Sequence, residues 1–197
     1  NFYRTENGRL QYFGTDGAYH NVERADGVLL LSDIKRSSDR IAGNASASLW
    51  DIGDKVLCLE FHSKMNAVDE GIMMMAANAM KMIPAQGYEA LVIHNEATNF
   101  SVGANVGLAL FAANIAAWPK ITESVKRGQD IYKKLKFAPF PVIGAPSGMA
   151  LGGGCEILLH CDVIEAHAET YMGLVEVGVG LVPAWGGCKE MLLRWSD

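Results

Sequence analysis

The sequence predicts an α/β fold of layered strands and helices. Three observations predict it. From residue 55 onward, apolar strand-like runs alternate with helix-spaced segments. The run Gly152-Gly153-Gly154 stands between a strand and an apolar helix. Half of the 197 residues are hydrophobic and only 20% are charged, which supplies a sizeable core and argues against disorder.

Residues 1–54 read as an atypical N-terminal region or linker remnant, and residues 55–197 as the core. Gly8, Gly14, Gly17, Gly27 and Gly43 punctuate the first part. Its only clear strand is Val28-Leu29-Leu30-Leu31, and the polar stretch Asp33 to Arg40 reads as loop. Val56 to Phe61 is a buried strand. Asn66-Ala67-Val68-Asp69 then leads into a helix that runs to Pro84, with Gly87 as its stop. Ile72, Met75, Ala76, Ala79, Met80 and Ile83 have helical spacing there, so the methionines are core packing. Ala90 to His94 is the next strand, followed by a loop over 95–101 and two helical stretches, 106–117 and 121–137, separated at Pro119. Pro139 and Pro141 stop the second. Pro141 to Pro146 is a strand, Cys155 to His160 a short helix, Val163 to Ala166 a strand and Tyr171 to Glu176 an extended piece. A last helix starts at about Gly187 and runs to the end at Asp197.

Composition excludes several functions. The chain has 17 Lys and Arg against 22 Asp and Glu, a net charge of −5 with no basic block, so it is not a nucleic-acid backbone binder. No apolar run reaches the ~18 residues that span a bilayer. The longest, Val106 to Trp118, is interrupted by Asn114. No secretory signal is visible, and the first residue is Asn rather than Met, which reads as a piece of a longer chain. Cys58, Cys155, Cys161 and Cys188 sit in apolar company without a CxxC pair. They read as reduced, buried thiols of a cytoplasmic protein rather than as zinc ligands. The five histidines show no HExxH or other metal spacing, so no metal site is expected.

The residues able to carry chemistry cluster late. Gly152-Gly153-Gly154 can leave N–H groups pointing from a helix N-terminus, a place to hold negative charge on an oxygen. A tight turn with close helix–strand packing explains the same glycines. No GKS/GKT and no GxGxxG is present, so neither a P-loop nor a dinucleotide fingerprint is supported. Glu156 lies among Cys155, Ile157, Leu158 and Leu159. A carboxylate there is paired, hydrogen-bonded or shifted in pKa. It either complements the helix dipole, worth about 0.3–1 kcal/mol, or serves as a general acid or base. Glu176 is a second carboxylate in apolar company. It either faces water from a strand or converges with Glu156, in which case the pair could deliver a water and a proton. Phe100-Ser101-Val102-Gly103-Ala104-Asn105 forms a second glycine loop able to offer an N–H. Ser147 lies outside any GxSxG elbow. Asp162 is expected to anchor backbone N–H groups.

These residues carry a resemblance. The run from Pro141 through Gly148-Met149-Ala150-Leu151-Gly152-Gly153-Gly154-Cys155-Glu156 to Cys161-Asp162, the Phe-Ser-x-Gly-Ala block at 100–104 and the Asn66-Ala67 pair together resemble the crotonase (enoyl-CoA hydratase/isomerase) superfamily. The resemblance runs from about Val56 to the end. It implies a spiral of repeated ββα units that binds an acyl-CoA thioester, with the family's C-terminal helices missing from this chain. It implies an oxyanion hole formed by the N–H groups of Ala104 and Gly153, with Ser101, Gly103, Gly152 and Ala184 binding substrate or water. It implies that Glu156 and Glu176 are the catalytic pair of an enoyl-CoA hydratase acting in fatty-acid β-oxidation. Isomerases of the family usually keep only the second glutamate, so a Δ3-Δ2-enoyl-CoA isomerase is the alternative, and a non-catalytic binding module with this fold is the other. No cofactor is implied in this segment. NAD is expected only where a 3-hydroxyacyl-CoA dehydrogenase domain is attached, and either such a fusion or a homo-oligomer is the implied assembly. The chain departs from the usual pattern at Asn105, Ser147, Ala184 and Trp185. These positions bear on acyl chain length more than on the reaction.

Overall fold

The computed structural model describes residues 1–196. Three short strands, β1 (Tyr3–Glu6), β2 (Arg9–Phe13) and β3 (Tyr19–Asn21), form an antiparallel sheet of their own. Their side chains are mostly exposed, which is why they lack the apolar alternation of a core strand. The strand expected at Val28–Leu31 is absent. Val28 to Leu30 are irregular, and Leu31 begins helix α1 (Leu31–Ser37). An apolar run of four residues does not distinguish strand from helix. Asp33 in the first turn and Lys35 and Arg36 in the last complement the helix dipole. Leu31 packs on Trp50 and Cys58.

The division expected at residue 55 falls inside a hairpin. Strands β4 (Ala42–Gly43) and β5 (Ala47–Asp51) precede β6 (Val56–Phe61), and β5 pairs with β6 in antiparallel register, Leu49 opposite Leu59. The core sheet therefore starts at Ala42. The residues from Ala47 to Trp50 are all buried, although only Leu49 and Trp50 announce it in the sequence.

From β6 the chain spirals. Each turn gives one strand to a large sheet, an extended segment to a second layer, and a helix. Helix α2 (Glu70–Gln86) follows β6, and the Asp69 side chain caps it by accepting from the Ile72 N–H at 2.9 Å. The helix passes through Pro84 and stops at Gly87, three residues later, where φ is 78°. Strands β7 (Ala90–His94) and β8 (Asn99–Ser101) follow, then α3 (Val106–Asn114) and α4 (Trp118–Lys136). Pro119 does not separate these helices as expected. It sits in the first turn of α4, where its missing N–H has no helical partner to lose. The next turn is β9 (Val142–Ala145), β10 (Met149–Leu151) and α5 (Gly153–Leu159). The last is β11 (Val163–Ile164), β12 (Tyr171–Gly173), a 3-10 turn over Glu176–Val179 and α6 (Gly187–Trp195).

The large sheet has the order β11-β9-β7-β6-β5-β4, and the small one β12-β10-β8. All pairings from β6 onward are parallel. This is the ββα spiral expected. The core lies between the large sheet, α2 and α4, and α5 runs through it buried at every residue. Asp162 accepts from the Val142 N–H at 2.8 Å, the backbone anchor expected of it. Cys58, Cys155 and Cys161 are buried, but Cys188 is exposed on α6, contrary to expectation. Asp197, the expected end of α6, lies outside the described residues.

Candidate active site

Two loops meet at the start of α5. Gly103 has φ of 92°, and a Cβ built on it would lie 2.8 Å from the Leu151 carbonyl oxygen and 3.2 Å from the Gly153 nitrogen. Only glycine fits that approach. A Cβ on Gly153 would lie 3.5 Å from the Ala104 nitrogen. The amides of Ala104 and Gly153 are thus neighbours, and neither donates to a protein acceptor among the described residues. The Val68 N–H donates to the Gly103 carbonyl at 2.8 Å and holds the first loop. Ser101 is fully buried. Its hydroxyl donates to the Asn66 carbonyl at 2.7 Å and accepts from the Gly103 N–H at 3.3 Å. Its hydroxyl is thus committed to shaping the turn of the first loop.

Glu156, in the first turn of α5, is 2% exposed. Its Oε1 accepts from the N–H groups of Trp185 and Gly187 at 2.9 and 2.8 Å. Burial raises its carboxyl above the ordinary value and the charge of Glu176 adds to this, while the Gly187 and Trp185 amides pull the other way. Glu176 opens the 3-10 turn rather than a strand face. A Cβ on Gly152 (φ 53°) would lie 3.1 Å from its Oε1, and its Oε2 is buried without a hydrogen-bond partner among the described residues. Burial pushes the Cys155 thiol up to about 11, and the charges of Glu176 and then Glu156 add to it.

The Ala184 carbonyl accepts from Gln129 Nε2 at 2.7 Å, and the amides that grip Glu156 belong to Trp185 and Gly187. Three further groups were not singled out in the sequence. Tyr132 of α4 is fully buried and donates its hydroxyl to the Gly153 carbonyl at 2.9 Å, fixing the start of α5. His160 Nδ1 lies 2.7 Å from the Glu156 carbonyl oxygen. Glu190 of α6 is 1% exposed and pairs with Lys136 and, at 2.6 Å, with Lys189. Tyr132 had a signal, since it shares a buried helical stripe with Gly128, Ile131 and Leu135. Glu190 had none, lying in a charged helix start. Among the described residues no three His, Cys, Asp or Glu side chains group as metal ligands, and no helix is long and apolar enough to cross a membrane.

The arrangement joins paired free amides to one buried carboxylate, Glu156, and one half-buried carboxylate, Glu176. The family described as Enoyl-CoA hydratase/isomerase matches residues 51–194, and the chain belongs to that family. A Bacillus subtilis protein named "Probable 3-hydroxyacyl-CoA dehydrogenase" is 40% identical over 193 residues, covering 98% of this chain and 24% of its own length. The fatty acid oxidation complex subunit alpha of Vibrio vulnificus is 35% identical over 138 residues, covering 66% of this chain and 19% of its own. The chain thus spans about a quarter or less of these curated relatives. A crystal structure of enoyl-CoA hydratase from Bacillus anthracis shares the fold, with a TM-score of 0.67, 21% identity, and coverage of 75% of this chain and 57% of that one.

Proposed function

We propose that the chain is an enoyl-CoA hydratase-type lyase domain that adds water across the double bond of a 2-enoyl-CoA in fatty-acid β-oxidation. One observation carries this: Glu156, in the first turn of α5, and Glu176, whose Oε1 lies 3.1 Å from a Cβ built on Gly152, both sit at the end of α5 that brings the free amides of Ala104 and Gly153 together. The thioester oxygen accepts from the two amides. Water, held by the carboxylates, loses a proton to one of them as its oxygen bonds to C3. The C2=C3 electron pair moves toward the thioester oxygen as an enolate, and C2 then takes a proton from a carboxyl group. Each preorganised donor is worth about 3 kcal/mol to that enolate. No cofactor takes part. NAD belongs to the reading only through an attached dehydrogenase domain, as the name of the Bacillus subtilis relative suggests. The same reading makes the protein cytoplasmic, with a fused dehydrogenase domain or further copies of the chain as its partners.

The isomerase reading has its own support. Glu156 Oε1 already holds two amides, an anchoring job, whereas Glu176 Oε2 is uncommitted. A Glu156→Gln variant separates the readings. Hydration of crotonyl-CoA, followed by loss of the enoyl absorbance, is expected to fall about 10²–10⁴-fold while isomerisation of a 3-enoyl-CoA survives. Undiminished hydration in the variant removes Glu156 from the mechanism. Glu176→Gln is expected to abolish both reactions.

A further inference from the structure

The Trp185 side chain sits at the meeting point of the two loops, and its seat is confined. A Cβ on Gly153 would lie 2.5 Å from its Cζ3 and 2.8 Å from its Cε3. A Cβ on Gly128 of α4 would lie 2.3 Å from its Nε1. Glycine is therefore needed on both sides of the ring, and the indole occupies a slot cut between α4 and α5. Tyr132 meets it edge-on, with centroids 5.5 Å apart and planes at 75°. The ring is wedged on three sides and is half-buried.

The same methyl-sized point on Gly153 that touches the indole lies 3.5 Å from the Ala104 nitrogen. A thioester oxygen bound by both amides therefore sits beside the ring. The main-chain N–H of Trp185 also donates to Glu156 Oε1 at 2.9 Å. The carbons that react must lie between those amides and that carboxylate, so the acyl chain passes along the indole within the first few carbons beyond the thioester. We infer that Trp185 is a specificity-determining residue: its indole, locked between Gly128 and Gly153, is the wall that limits the length and branching of the acyl group. This rests on the acyl-CoA reading above.

Affinities for butyryl-CoA and dodecanoyl-CoA, measured by calorimetry on the whole protein and its Trp185→Ala and Trp185→Phe variants, test the inference without requiring turnover. Opening the wall is expected to shift the affinity ratio toward the dodecanoyl thioester by about tenfold or more in Trp185→Ala, with a smaller shift in Trp185→Phe. The hydration rates on crotonyl-CoA and 2-dodecenoyl-CoA should move in the same direction. A ratio within about threefold of the wild-type value in both variants overturns the assignment. Trp185→Phe keeps an aromatic ring in the slot, so a folding failure confined to the alanine variant still leaves a decisive measurement. A wild-type protein that binds both thioesters but hydrates neither contradicts the hydratase reading, while the affinity ratio still decides the role of Trp185.

Discussion

Glu156 shows at the scale of one residue how function opposes stability. Its carboxyl is raised in the fold by burial and by Glu176, against a solvated value of 4.5 in the unfolded chain. A raised acid favours folding below its unfolded value, and that contribution is lost as pH rises through the folded one. Glutamine keeps an oxygen to accept from Trp185 and Gly187 but never ionises. Glu156→Gln is therefore expected to be more stable than wild type near neutral pH, with an advantage in urea midpoint that grows as pH is raised from about 4.5 toward neutral. An advantage that is constant or shrinks over that range would mean that the two amides already neutralise the buried charge. The same side chain is where reading the sequence worked best. A carboxylate between Cys155 and three aliphatic residues announces an unusual environment whatever the fold. Glu176 was harder, because its Leu-Val-Glu-Val-Gly surroundings fit a wet strand as well as the 3-10 turn that it opens.

At the scale of elements, the contact between α4 and the loop after β12 depends on size. Gly128 of α4 and Trp185 form a small–large pair 57 positions apart by number, invisible to any local pattern. Gly128→Ala puts a methyl group 2.3 Å from the indole nitrogen, against the rigid five-membered ring rather than a flexible tip. A loss of about 1–3 kcal/mol is expected, recovered in part by Gly128→Ala combined with Trp185→Phe, as read from denaturant midpoints. Equal losses in the single and double variants would show that the helix, not the ring, objects. What local patterns do encode is clear from the strands. Val56–Phe61 is buried on both faces, while Ala90–His94 and Val142–Ala145 alternate buried with half-buried positions and expose neither face, so each is written as a short continuous apolar run. The exposed hairpin strands β1 to β3 have no such requirement and leave no such trace. Ala47–Asp51 escaped because Ala47 and Ser48 are small enough to bury beside β6 without looking like core.

At the scale of the molecule, the two halves of the site are held by helices that close the spiral from outside. Helix α5 supplies Gly153 and Glu156, and α4 and α6 press on it from two sides. Their own join is ionic. Glu190, 1% exposed, binds Lys136 across the gap and Lys189 on its own helix, with His160 Nε2 at 3.7 Å. Burial works to raise the Glu190 carboxyl, but the hydrogen bonds from Lys136 and Lys189 outweigh it and hold the group below its ordinary 4.5. A depressed acid stabilises the fold above its unfolded value and stops doing so as pH falls through the folded one. The join is thus expected to weaken only in acid, below about pH 4.5. Removing the partner is harsher than removing the pair. Lys136→Met leaves Glu190 buried with only the outlying Lys189, and a loss of about 3 kcal/mol is expected, whereas Lys136→Met with Glu190→Gln, which removes both charges, should cost much less. The cycle has a functional readout as well. Glu190 lies one turn beyond Gly187, and its own N–H donates to the Gly186 carbonyl at 3.0 Å. Loosening that turn loosens the amides that hold Glu156 Oε1. On the proposed hydration, in which Glu156 touches the reacting atoms, the single variant is therefore expected to lower kcat more than it raises KM. A variant that loses stability with kcat intact would separate the ionic join from the positioning of Glu156.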